Sequence, residues 1–165
     1  MYNSMKNLRT FIAVVMLSIA CMTWAKDSFL SALSGQDDVT TVTLNKFMLS
    51  VASASGDEGN SISGGDLLKN LDKMAIYTSE AQSGAEKINA AVKNDIQTLP
   101  GLETMLEVKD DDDVVTMYGI PSGENTYSEA FMWVKSSDST VLIVFWGKLT
   151  PADFANVMND GIPGL

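Results

Sequence analysis

Histidine is missing from this chain of 165 residues, and cysteine occurs once, as Cys21. The first absence excludes Ser-His-Asp and Cys-His nucleophilic catalysis. With a single thiol, ordinary Cys/His zinc sites go too. No disulfide framework can form within the chain, so a stable domain must rest on its core alone. Carboxylates, Lys, Tyr, Ser and Thr remain as acid-base or nucleophilic groups. Basic residues are scarce: 11 Lys and Arg stand against 21 Asp and Glu, a net charge of −10. That balance argues against nucleic-acid or anionic-membrane binding, either of which needs a basic face. It serves solubility instead.

A long apolar run is lacking as well. Phe11 to Ala20 is nearly continuously apolar but too short to span a bilayer comfortably. Lys6 and Arg9 precede it, and Thr23-Trp24-Ala25 follows with small residues at the positions a signal peptidase reads. Residues 1–25 therefore read as a secretory signal cleaved after Ala25, leaving one globular domain over 26–165 with no membrane span. The destination is the periplasm or the outside of the cell. The alternative is a lipoprotein anchored at Cys21, with Ala20 correctly small before it and Leu17 one place early. Cleavage after Ala25 removes Cys21 and leaves the rest more negative by two charges.

Hydrophobic periodicity orders the remainder. Residues 27–34 read as a short helix ending at Gly35, and "VTTVTL" (Val39 to Leu44) as a first strand. In "NKFMLSVASA", Phe47, Val51 and Ala54 recur at helical spacing. "SASGDEGNSISGG" is a Ser/Gly loop. Ser63 with Asp66 forms a capping box inside the staple pair Ile62 and Leu67, and Leu67, Leu68 and Leu71 face the core. "KMAIYTS" is a second strand. Ser79 and Gln82 open a helix through about Gln97, striped by Ala85, Ile88, Val92 and Ile96. Thr150, Pro151 and Asp153 box a last helix, with Leu149 and Phe154 as its staple and Phe154, Val157 and Met158 as its buried face.

Two hairpins lie between these helices. Pairing Lys109 with Val114 across "DDDD" sets Val108 opposite Val115 and Leu106 opposite Met117. Pairing Lys135 with Thr140 across "SSDS" sets Val134 opposite Val141 and Met132 opposite Ile143. Each register gathers one apolar face. Helices interleave early and strands run consecutively late, so the fold class is α+β: a mostly antiparallel sheet of about six strands with helices packed on one face.

The last hairpin has a second apolar face, made by Phe131, Trp133, Leu142, Val144 and Trp146. An antiparallel sheet with one solvated side normally alternates with polar residues. The chain itself covers this face, or it is an interface with a second copy or an envelope partner, or it lines an apolar ligand pocket. Asp110 to Asp113 fail the EF-hand pattern, because Val114 falls on a ligand position and the glycine is missing. Asp is a turn former, so the run reads as a solvated hairpin tip; a calcium-stabilised module and a dock for a basic partner are the alternatives. Glu103 and Glu107 share a strand face by parity, with Glu129 as a neighbour, the pattern a carboxylate-dependent hydrolase of an envelope polymer needs. The glycines of "SGGD" and "PSGEN" have neither phosphate-loop nor dinucleotide spacing, so no cofactor is implied. The methionines at 48, 74, 105, 117, 132 and 158 fit apolar positions.

The leader, "VTTVTLNKFML", "EVKDDDDVVTMYG" and above all "VLIVFWGKLTPADFANVM" together resemble the domain of unknown function 4252. This is a family of small exported proteins common in Bacteroidetes-type Gram-negative bacteria. The resemblance implies export to the cell envelope and one small domain; it brings no activity and no catalytic residue set. The expected role is a non-catalytic binding or interaction domain of the cell envelope.

Overall fold

The computed structural model describes residues 29–54 and 65–160, with backbone alone at 65, 66 and 156–160. A helical turn at 29–34 leads into β1 (Thr40–Asn45) and α1 (Lys46–Ala54). Then come α2 (Gly65–Asn70), β2 (Leu71–Ser79), α3 (Gln82–Asn94) and a 3-10 turn (Ile96–Thr98). Four consecutive strands follow, β3 (Glu103–Asp110), β4 (Asp113–Gly123), β5 (Thr126–Lys135) and β6 (Thr140–Leu149), and α4 (Pro151–Asp160) closes the order. The expected leader cleavage at Ala25 and the alternative lipidation at Cys21, the expected Ser63 and Ile62 capping, the acidic stretch 55–60 and the Val157 and Met158 side chains lie outside the described residues.

The six strands form one sheet in the order β1-β2-β6-β5-β4-β3, antiparallel throughout, as the α+β reading expects. Both expected hairpin registers are present, Lys109 with Val114 and Lys135 with Thr140 among their pairs. A one-residue slip in either would send its apolar set to the other face. The acidic turn is tighter than a four-residue loop. Asp110 pairs with Asp113, so only Asp111 and Asp112 turn the chain. Asp111 sits at φ 50°, a left-handed conformation that a short polar side chain tolerates. A third hairpin joins β4 to β5 through Glu124 and Asn125, with Asn125 at φ 53°. The ladder is irregular around Pro121, which has no N–H to give it.

The helices divide between the two faces of the sheet instead of sharing one. On the first face, Ala75, Tyr77, Tyr118, Phe131, Trp133, Leu142 and Val144 pack with Ile88, Ala91 and Val92 of α3, Ile96, and Leu30 and Leu33 of the helical turn. On the second, Met117, Ala130, Met132, Val141, Ile143 and Phe145 pack with Leu49 of α1, Leu67 of α2 and Phe154 of α4. Cover on both sides is why β6 reads as a nearly unbroken apolar run and is buried from Thr140 through Phe145.

Two helix starts depart from the expected chemistry. α3 is preceded by Ala81, which makes no side-chain cap. Ser79 lies two residues too early to box with Gln82. Its hydroxyl instead accepts from the Ala81 amide at 3.1 Å and donates to the Asp38 carbonyl at 2.7 Å, tying β2 to the entry of β1. Gln82 bonds to Glu86. In α1, the Asn45 side chain accepts from the Met48 amide at 3.0 Å and sets the helix phase so that Leu49 points inward. The expected stripe faces outward: Phe47 is 71% exposed and Val51 44%. Helical spacing identifies a stripe, not which stripe meets the sheet. At α4 the box is found. Asp153, buried, accepts from the Thr150 amide at 2.7 Å and hydroxyl at 2.8 Å and from Asn70 at 3.0 Å, and Leu149 and Phe154 are both buried.

Candidate interaction surface

The aromatic face is internal. Phe131, Leu142 and Val144 are fully buried and Trp133 is 8% exposed. The Trp133 indole N–H donates to Asn89 of α3 at 3.0 Å, so the polar end of the ring is satisfied by the helix that covers it. Trp146 lies half-buried at the margin, with the Lys73 ammonium 4.7 Å from its ring centroid. Of the three readings of these five residues, cover by the chain itself is the arrangement found. They do not form an open docking face, because α3, the 3-10 turn and residues 29–34 are packed on them.

The carboxylates separate. The β3–β4 ladder shifts between Thr104 and Leu106, and that irregularity undoes the parity argument. Glu103 is level with Gly119 and Ala130, on the second core's side. Glu107 is level with Thr116 and Trp133, on the first. Glu129 stands between Ile120 and Trp146 on that first side. Glu107 pairs with Lys109, two residues along the same strand face, and this holds the Lys109 ammonium protonated above its usual range. Among the described residues, no three His, Cys, Asp or Glu side chains are grouped to hold a metal. The Asp110–Asp113 tip is exposed.

Shallow hollows among the described residues include three that bear on this region. One of about 300 Å³ lies between residues 29–36 and α3 and is mainly apolar. Two polar ones, about 340 and 430 Å³, meet at Ser79 and Glu80, around the start of α3 and the Ser136–Ser139 tip. The Asp38 carboxylate at this end accepts from the Lys87 ammonium at 2.7 Å and from Ser83, which lowers its pKa.

The exposed apolar side chains gather elsewhere. Val42, Phe47, Met48 and Val51 all lie on β1 and α1; Val108 on the opposite edge is the other large one among the described residues. The two sheet edges contrast sharply. β3 carries Glu103, Glu107, Lys109 and Asp110 and is irregular, the devices that keep an edge strand from pairing. β1 is Thr-Thr-Val-Thr-Leu-Asn, with no charge, proline or glycine, and it pairs with β2 without a break. No described strand pairs with its outer side. The signal was present in the sequence as an uncharged β-branched strand, but its position at the edge is set by the β2–β6 pairing, which no local pattern announces.

The chain belongs to the family described as domain of unknown function (DUF4252), whose model matches residues 33–157. No curated protein matches it. Among solved structures it is similar to PA94, a protein of unknown function from Pseudomonas aeruginosa, at 14% identity over 77% of this chain and 79% of that one, with a TM-score of 0.34. A likeness that distant carries no argument. No helix among the described residues is long and apolar enough to cross a membrane.

Proposed function

We propose that this member of the family is a non-catalytic binding domain exported to the cell envelope, and that it binds through the outer edge of β1 and the exposed side of α1. The observation that carries this reading is the unguarded edge: an uncharged strand with no described strand on its outer side, beside the exposed Val42, Phe47 and Met48. Strand addition to such an edge supplies main-chain hydrogen bonds, and the apolar neighbours supply the contact area. Export is supported by the leader-like residues 1–25 and the family resemblance.

Two measurements test the reading. A photo-reactive residue at Met48 in living cells gives cross-linked adducts, whereas one at Lys93, exposed on α3, gives none. Absence of adducts at Met48 sinks the binding surface. The intact mass of the protein recovered from cells begins at Lys26, or carries lipid on Cys21; a retained Met1 or Met5 sinks export.

A further inference from the structure

We propose that the occupant of the β1 edge is a second copy of this chain, paired strand to strand in antiparallel sense about a two-fold axis at Val42. This rests on the binding surface proposed above and names what fills it.

The ends of the strand carry the argument. Asp37 and Asp38 precede β1, and Lys46 follows it directly, with no charge between. Antiparallel self-pairing centred on Val42 brings Asp38 of one copy level with Lys46 of the other, at both ends of the contact. Parallel pairing would stack acid on acid and lysine on lysine. Each of these groups already has a partner of opposite sign in its own chain. Lys87 lies on Asp38 at 2.7 Å, and Lys46 lies on Asp72 at 2.8 Å. The dimer therefore extends each pair into a row of alternating charge, Lys87, Asp38, then Lys46 and Asp72 of the second copy. Complementary ends of this kind select the partner and the register more than they add affinity.

The side chains between fit the same axis. Val42 meets its own counterpart, and directly opposed β-branched residues are a favourable pair. Thr40 meets Leu44 of the second copy, and Thr41 meets Thr43. Opposed threonines are a favourable cross-strand pair. Val42 is level with Ile76, on the face of the sheet that α1 covers through Leu49. A two-fold axis perpendicular to the sheet keeps both α1 helices on that face, where Phe47 and Met48 of each copy flank the junction. The pairing is isologous and closes on itself. It joins two six-stranded sheets into one and leaves only the two charged, irregular β3 edges outside.

Five paired residues, Thr40 to Leu44, and a few helix side chains per copy are far fewer than the about 20–30 a side of a standard interface, so the dimer is weak. A dissociation constant of about 10 µM to 1 mM is expected.

The test is sedimentation equilibrium on the protein expressed with its own N-terminal segment and purified as the cell leaves it. Mass rises with concentration from one chain to two and no further. Val42→Lys and Val42→Glu, at an exposed position, each raise the dissociation constant at least tenfold, because like charges then face each other across the axis. An equimolar mixture of the two variants associates more tightly than either alone, which only self-pairing at Val42 produces. A constant single-chain mass, or a mixture no tighter than its components, overturns the inference. The cross-linking at Met48 separates this failure from that of the underlying reading. Adducts of twice the chain mass support self-pairing. Adducts of another mass overturn it and leave the binding surface standing, and no adduct overturns both.

Discussion

Gly84→Ala is expected to destabilise this protein, although the same exchange in an open helix stabilises one by about 1 kcal/mol. Gly84 is buried in the first turn of α3. A methyl group there would lie 2.2 Å from the Asp38 carbonyl oxygen and 2.3 Å from the Ser79 hydroxyl. Neither neighbour can easily give way. The first is backbone, and the second is buried and donates to that same carbonyl at 2.7 Å. The helix must therefore withdraw by about 1 Å to reach ordinary contact distance. Overpacking of this kind costs about 1–3 kcal/mol, and loss of the Ser79 bond adds about 1 kcal/mol. Against the gain in helix propensity, the net loss is about 1–3 kcal/mol. Urea unfolding reads it as a midpoint lowered by about 1 M at unchanged slope. Withdrawal also loosens the Asn89 contact, so Trp133 fluorescence in the folded protein shifts toward that of a more hydrated ring. A midpoint equal to or above that of the parent chain would refute the close seating of α3 on β2, and with it the cover over the aromatic face.

Two further outcomes follow from the same packing. Leu49→Ala costs about 2–5 kcal/mol, because Leu49 is fully buried, whereas Phe47→Ala, on the outward side of α1, stays within about 0.5 kcal/mol; a pair of chemical melts distinguishes them, and the reverse order would restore the outward stripe to the core. The Asp38 carboxyl, held below its ordinary value first by the bond from Lys87 and then by that from Ser83, titrates low in the folded chain. Its folded pKa is depressed, so its stabilisation is present at neutral pH and is lost as pH falls through the unfolded value toward the folded one. Carbon-detected NMR titration should find it low and find Lys87→Met returning it toward the ordinary range; an unchanged titration in the variant contradicts the assignment.

Local chemistry explains which parts of the fold could be read in advance. The hairpins at Lys109–Val114 and Lys135–Thr140 were legible because period-2 alternation and short polar turns act within a few residues. The Thr150–Asp153 box is local for the same reason. The phase of α1 was not legible, since both the Leu49 and the Phe47 sides repeat at helical spacing and Asn45 decides between them. The separation of Glu103 from Glu107 was hidden as well: the irregularity at Thr104–Leu106 carries no glycine or proline to mark it. For the candidate site the same divide holds. The apolar character of Phe131, Trp133, Leu142, Val144 and Trp146 was plain, but their cover depends on where α3 lands after β2. The open edge of β1 depends on β2 pairing with β6, a contact between segments far apart in the sequence.

Amide hydrogen exchange measured as protein concentration is raised tests the central claim most directly. If the chain associates through β1 while its aromatic face stays closed, amides over Thr40–Leu44 become slower to exchange with concentration, and those of β5, β6 and α3 do not change. New protection over Phe131–Val134 and Leu142–Trp146, with none over β1, would contradict the account and return the interface to the last hairpin.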